Sequence, residues 1–188
     1  MKGPDLADLV DALSAHDASE VRAIARLKDL IAAVAEPWRR DRYEPGHVTA
    51  SAFVLHPEEA AMALILHSKL DAWLQPGGHV EPEDLSHEAA ARREVAEECG
   101  LRGLETLGVL DVDIHTFPAR TGQPEHLHFD IRWAFRAATD LLEVGDGASA
   151  VRWVPLEEAA GMDESIARPA RKLRALTVTP NAGYAEQP

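Results

Sequence analysis

Apolar residues in the first part of the chain recur at helical spacing. Leu6, Leu9, Val10 and Leu13 form one stripe, and Val21, Ile24, Leu27, Leu30, Ile31 and Val34 form a second. Asp17 precedes the second stripe with Glu20 three positions on, a helix-start pattern, and Pro37 ends it. Residues 1–45 therefore read as a helical hairpin extension, packed on the main body or on a second copy in a homodimer. From His47 the period changes. His47–His56 is rich in β-formers, Pro57-Glu58-Glu59 makes a turn, and Ala61–Leu66 gives a second strand. A loop with Trp73, Pro76, Gly77 and Gly78 follows. Ser86–Cys99 is rich in Ala and Glu and free of Gly and Pro, which predicts a helix stopped by Gly100. Leu107–His115 and His126–Arg136 alternate in polarity as strands, Ala148–Val154 is a shorter strand, and Asp163–Leu176 is a final helix. Asn181–Pro188 reads as a frayed tail. Residues 46–188 thus form one α/β domain.

Charge narrows the partners. Lys and Arg number 19 against 32 Asp and Glu, a formal net charge of −13 and a pI near 5.0. That argues against a broad nucleic-acid surface, but a divalent cation would let so acidic a chain bind small phosphorylated ligands. Cys99 is the single cysteine, so no intrachain disulfide forms. The longest strongly apolar run, Ala60–Leu66, is too short to span a bilayer. Met1–Asp5 lacks the apolar core of a signal peptide. A cytoplasmic protein without a membrane partner is expected.

The segment with most chemistry is Gly77-Gly78-His79-Val80-Glu81 followed by Arg93-Glu94-Val95-Ala96-Glu97-Glu98-Cys99-Gly100-Leu101. On a helix, Glu94, Glu97 and Glu98 share one face, while Ala89, Val95, Ala96 and Cys99 point to a core. Like charges so placed destabilise a helix. A hard cation such as Mg²⁺ resolves the conflict, because it takes oxygen ligands and brings phosphate oxygens with it. The bland alternative is a solvated acidic face.

Residues Gly78–Leu101 resemble the Nudix box, a strand-loop-helix motif of hydrolases that act on a nucleoside diphosphate linked to another group. Arg93, Glu94, Val95, Glu97, Glu98, Gly100 and Leu101 match its second half position for position. The first half departs: Asp84 stands where a Glu is usual, and eight residues instead of seven separate it from Arg93. Trp73–Gly78 and Val151–Leu156 resemble the flanks of such domains, and the likeness covers residues 47–176. It implies an α/β/α sandwich around a mixed β-sheet and a Mg²⁺-dependent hydrolase, with Mn²⁺ as a substitute, cleaving a diphosphate bond in a nucleotide. It further implies Glu97 and Glu98 as metal ligands, Glu94 as third ligand or water-orienting base, and the Gly78 carbonyl as a further ligand. Arg93 would hold the helix through a carboxylate. Glu81 reads as either a loop brace or a metal neighbour. A general base outside the box would come from Glu125, Glu143 or Asp146.

A second constellation is His126-Leu127-His128-Phe129-Asp130. Alternation puts His126, His128 and Asp130 on one strand face, with Asp111, Asp113 and His115 repeating the pattern upstream. A transition-metal site, a polar sheet surface and a cleft wall are the open readings; the expectation is that this face contacts the substrate's phosphates or base. Cys99 is expected to be buried as a small apolar residue, which counts against an isomerase resembling isopentenyl-diphosphate isomerases. A non-catalytic ligand-binding module is the other alternative, disfavoured by the three intact carboxylates. Trp38, Trp73 and Trp133 could stack on a nucleobase, with core packing as the default.

Overall fold

The computed structural model describes residues 6–178. Helices α1 (Leu6–Asp11) and α2 (Ala18–Ala33) precede strands β1 (Gly46–Leu55), β2 (Ala61–His67), β3 (Ala72–Leu74) and β4 (Gly77–His79). Helix α3 (His87–Cys99), strands β5 (Glu105–Phe117), β6 (His126–Arg136) and β7 (Ala148–Pro155), and helices α4 (Leu156–Ala159) and α5 (Glu164–Val178) complete it. The Asn181–Pro188 tail lies outside the described residues. Among those residues no helix is long and apolar enough to cross a membrane.

The seven strands make one mixed sheet, ordered β3-β2-β1-β6-β5, with β4 on β1 and β7 on β2. The β1–β6 pair is parallel and sets His47 beside His128 and Thr49 beside Asp130; the other pairs are antiparallel. Strands β3 and β4 lie where the sequence predicts only a loop. At three residues each they are too short for any period to show.

Alternation divides the sheet. Ala50, Ala52 and Val54 of β1 with Trp133 and Phe135 of β6 pack against Ala90, Ala91, Val95 and Cys99 of α3. Val48, Phe129 and Ile131, on the same face, meet Leu6 and Val10 of α1 and Ile24, Leu27 and Leu30 of α2. Phe53, Leu55, Leu64 and Val154 turn the other way, against Leu156, Ile166, Ala170 and Leu173 of α4 and α5. Asp17 caps α2 as predicted, accepting from the amides of Ser19 and Glu20, each at 2.8 Å. Glu20 reaches back to the His16 amide at 2.7 Å and also pairs with Lys172 of α5 at 3.0 Å. The N-terminal helices therefore pack on this chain's own sheet.

Candidate active site

Two local rules place α3. Ser86 caps it through the Ala89 amide at 3.0 Å, and Gly100 closes it at φ 72°, a left-handed conformation that glycine adopts without strain. The helix also docks through His87. Its Nε2 lies 3.0 Å from the Thr49 carbonyl and its Nδ1 2.9 Å from Trp133 Nε1. A carbonyl only accepts and an indole N–H only donates, so Nε2 carries the proton and both ring nitrogens are satisfied. Full burial holds this imidazole neutral, its pKa down to about 4.

The inward stripe of α3 runs through His87, Ala90, Ala91, Val95, Glu98 and Cys99, so Ala89 and Ala96, expected inside, are only partly covered. Glu98 sits at the edge of that stripe, which is why it is 8% exposed while Glu97 stands in solvent. Burial pushes the Glu98 carboxyl up to about 7, against the Gly77 amide that donates to it at 2.8 Å; Glu94 and Glu97 add to the rise. Burial raises Glu94 as well, opposed by Arg93. Gly78 leaves room for Glu94 here: a Cβ at this position would meet the Glu94 carboxylate oxygens at 2.6 and 2.9 Å and displace that side chain.

The acidic face holds a cation. Arg93 Nη1 donates to Glu94 at 2.9 Å and to Glu97 at 3.1 Å. The same guanidinium grips Asp84 through Nε at 3.1 Å and Nη2 at 3.0 Å, and donates to the His79 carbonyl at 2.8 Å. Asp84 thus takes up the supporting ion pair despite the extra loop residue. It also accepts from the Glu81 amide at 2.8 Å. One guanidinium holds three carboxylates (Asp84, Glu94 and Glu97), a fourth, Glu98, accepts from the Gly77 amide beside them, and Glu94 and Glu98 have raised pKa values. The unbalanced charge is hard oxygen, which suits a divalent cation of the Mg²⁺ type.

Two of the proposed loop bases come close to this helix. The Glu143, Gly145 and Asp146 amides donate to the Cys99, Glu98 and Glu97 carbonyls at 3.0, 3.1 and 3.0 Å, closing the last turn of α3. Glu125 lies instead beside His126, at the start of β6. Cys99 is fully buried, and burial pushes its thiol up to about 12, so no thiolate is offered to a ligand. Trp133 is core.

The strand face of His126, His128 and Asp130 is buried. Asp130 accepts from Thr49 at 3.1 Å, Ser51 at 2.7 Å and Arg132 Nε at 2.9 Å, so its carboxylate is committed within the protein. Arg132 also binds Asp113 at 3.0 Å and Asp111 at 3.3 Å. Arg168 and Lys172 of α5 each reach Asp111 at 2.6 Å. This network ties α5 to the sheet. His126 and His128 lie beside it, linked through His115, with His47 and His79, two residues whose part here no sequence pattern announces. A cavity of about 320 Å³ between α1–α2 and the sheet, lined by Leu9, Leu13, Ile24 and Val112, holds none of these groups.

Known proteins give this geometry a context. A Nudix-family hydrolase from Clostridium perfringens is similar over 69% of this chain and 97% of its own, at 23% identity and a TM-score of 0.53. A Caenorhabditis elegans Ap4A hydrolase in a binary complex aligns over 69% and 96%, at 19% identity and a TM-score of 0.57. The NUDIX domain of Shewanella oneidensis NrtR, complexed with ADP ribose, aligns over 80% and 97%, at 16% identity and a TM-score of 0.53. These likenesses establish a shared fold. The sequence profile of the NUDIX domain matches residues 45–176, the whole sheet and the glutamate helix included, and the chain therefore belongs to that family.

Proposed function

We propose that the protein is a divalent-metal-dependent hydrolase that cleaves a diphosphate bond in a nucleoside diphosphate derivative or nucleoside triphosphate. The observation that carries this reading is the surplus of carboxylates on α3 beside the Gly78 cradle. Glu97, Glu98, Glu94 and the Gly78 carbonyl would hold Mg²⁺, with Mn²⁺ as a substitute. Bound there, the ion neutralises phosphate charge and lowers the pKa of water. Glu98 is fixed by the Gly77 amide, so its free oxygen has one direction to point. Glu94, held beside Arg93 and pressed on Gly78, can orient or deprotonate a water. Arg93 acts as a clamp: its bonds to Asp84 and to the His79 carbonyl join the loop to the helix and keep β4 against the glutamates. The Glu143–Asp146 loop, bonded to the last turn of α3, is the nearest source of a further base. Asp130, with its carboxylate enclosed, is left to position the sheet.

The similarity to an Ap4A hydrolase and to a NUDIX domain complexed with ADP ribose supports a nucleotide substrate for this chain. A ligand-binding module without catalysis is disfavoured by the intact glutamate set. The test is a phosphate-release screen over nucleotide sugars, nucleoside triphosphates, dinucleoside polyphosphates and oxidised nucleotides with Mg²⁺, followed by product identification. Turnover of one class is expected; binding of a nucleotide without turnover would favour the non-catalytic module.

A further inference from the structure

Five histidines meet on the face of the sheet turned away from α3. His115 of β5 is one: its ring is 5.4 Å from that of His128, and its Nδ1 lies 3.3 Å from Asp113. His47 comes from the start of β1, His126 and His128 from the start of β6, and His79 from β4. The ring centroids of His47, His126 and His128 lie 4.9, 4.9 and 5.1 Å apart, and that of His79 is 5.1 Å from His47 and 5.6 Å from His128. His47, His126 and His128 are buried, at 0, 4 and 8% exposure. One ring nitrogen of each lies within 4.8 Å of those of the other two.

The backbone sets two of the tautomers. His47 Nδ1 lies 3.0 Å from the Arg42 carbonyl and His126 Nδ1 2.7 Å from the Pro124 carbonyl. A carbonyl only accepts, so each Nδ1 carries the proton and each Nε2 presents a bare lone pair. A metal-binding histidine is normally held this way, its other nitrogen donating to a carbonyl. The Nε2 atoms of His47 and His128 are buried without a hydrogen-bond partner. Buried polar atoms are rarely left so. His87, a structural histidine in the same protein, shows the contrast: both of its nitrogens are bonded. A substrate phosphate would need N–H donors, and His47 and His126 have already committed their Nδ1–H to backbone carbonyls.

We propose that His47, His126 and His128 bind a transition-metal dication, Zn²⁺ foremost, with His79 the nearest ring to complete the coordination. Imidazole nitrogens suit Zn²⁺ and its neighbours in the first transition row, whereas the α3 carboxylates suit hard ions, so the two centres select different metals. Tetrahedral Zn–N bonds of about 2.0 Å place ligand nitrogens about 3.3 Å apart, so the rings need close by no more than about 1.5 Å. Phe117, stacked on His128 at 4.8 Å, and Tyr43, edge-on to His126 at 5.0 Å, wall the cluster. Asp130 is not a ligand, since Arg132, Thr49 and Ser51 hold its oxygens. Strand β4 separates the two centres, with Gly78 against Glu94 and the His79 ring among the histidines. The site does not depend on the hydrolase reading.

The full chain, stripped by a chelator and freed of it, is titrated with Co²⁺ and then Zn²⁺, with no nucleotide present. We expect one Co²⁺ per chain with the intense visible absorption of four-coordinate, nitrogen-rich ligation, displaced by Zn²⁺. That signal should persist in Glu97→Gln/Glu98→Gln and weaken at least about tenfold in affinity in His47→Ala and in His128→Ala. Only a faint six-coordinate spectrum, binding that survives the histidine variants, or binding lost with the glutamates would overturn the proposal. Should a histidine variant fail to fold, X-ray absorption at the metal edge of the wild-type protein decides. Three or more imidazole ligands support the site, and an oxygen-only shell refutes it.

Discussion

Replacing Glu98 by Gln should stabilise the metal-free protein at alkaline pH while removing activity. Glu98 is buried at the edge of the α3 stripe, and its pKa rises from 4.5 to about 7. The folded protein therefore holds this proton more tightly than the unfolded chain does, so stability falls as pH rises from about 4.5 through 7. A shift of that size corresponds to about 3 kcal/mol once both states are ionised. Gln removes the charge and keeps an oxygen for the Gly77 amide, but a neutral acceptor is weaker by about 1 kcal/mol. The net gain is about 2 kcal/mol at pH 8, or a Tm higher by about 4–8 °C for a chain of this size. At pH 5 the folded wild-type residue is protonated and only the unfolded chain is ionised in part, so the gain should shrink to about 1 kcal/mol or less. Calorimetry of both proteins in EDTA at the two pH values measures it. A Glu98→Gln protein no more stable than wild type at pH 8, or equally stabilised at pH 5, would refute the reasoning. Near wild-type turnover at saturating Mg²⁺ would remove Glu98 from the metal site.

Chelation by EDTA should stop hydrolysis and Mg²⁺ or Mn²⁺ should restore it, with a Tm that climbs with metal concentration; undiminished turnover after exhaustive chelation would contradict this. Gly78→Ala should push the Glu94 carboxylate from its place, lowering kcat at least about tenfold, by analogy with the loss of a metal-supporting contact, while circular dichroism stays native. His87, neutral when folded, should titrate near pH 4 in an NMR pH series. Because the unfolded chain protonates this residue near 6.5, its contribution is complete above 6.5 and is lost as pH falls toward 4, and urea midpoints over that window should drop accordingly.

The longer helices, the longer strands and the glutamate motif were legible because each rests on local spacing, whereas the four residues of α4 went unread. Asp17 and Ser86 announce their helices as caps, and Gly100 ends α3 for want of a Cβ. Strands β3 and β4 escaped, since three residues carry no period. His47 could not be joined to His126 and His128 from the sequence, because only the parallel pairing of β1 with β6 brings them together. Arg93 pairs with a carboxylate as expected, but how many it holds was not legible. Helical angles place its Cβ, but its guanidinium reaches across to Glu94, Glu97 and Asp84, so a face counted as purely acidic holds a cation. That same reach absorbs the extra loop residue before Arg93. Asp130 shares a strand face with the histidines, yet its neighbour Arg132 decides its partners.

The packing of α2 also dictates an order of events during synthesis. A ribosome releases Ile24, Leu27 and Leu30 early, whereas their sheet partners Val112, Phe129 and Ile131 come much later. The salt bridge between Glu20 and Lys172 waits longer still, until the final helix has emerged. Strand β1 has the same problem, since its parallel neighbour is β6. A nascent chain that stops before β6 therefore carries an apolar helix stripe and a sticky strand with nothing to cover them. Such chains expose apolar surface that favours aggregation, and the N-terminal helices are fastened only after β5, β6 and α5 have been made.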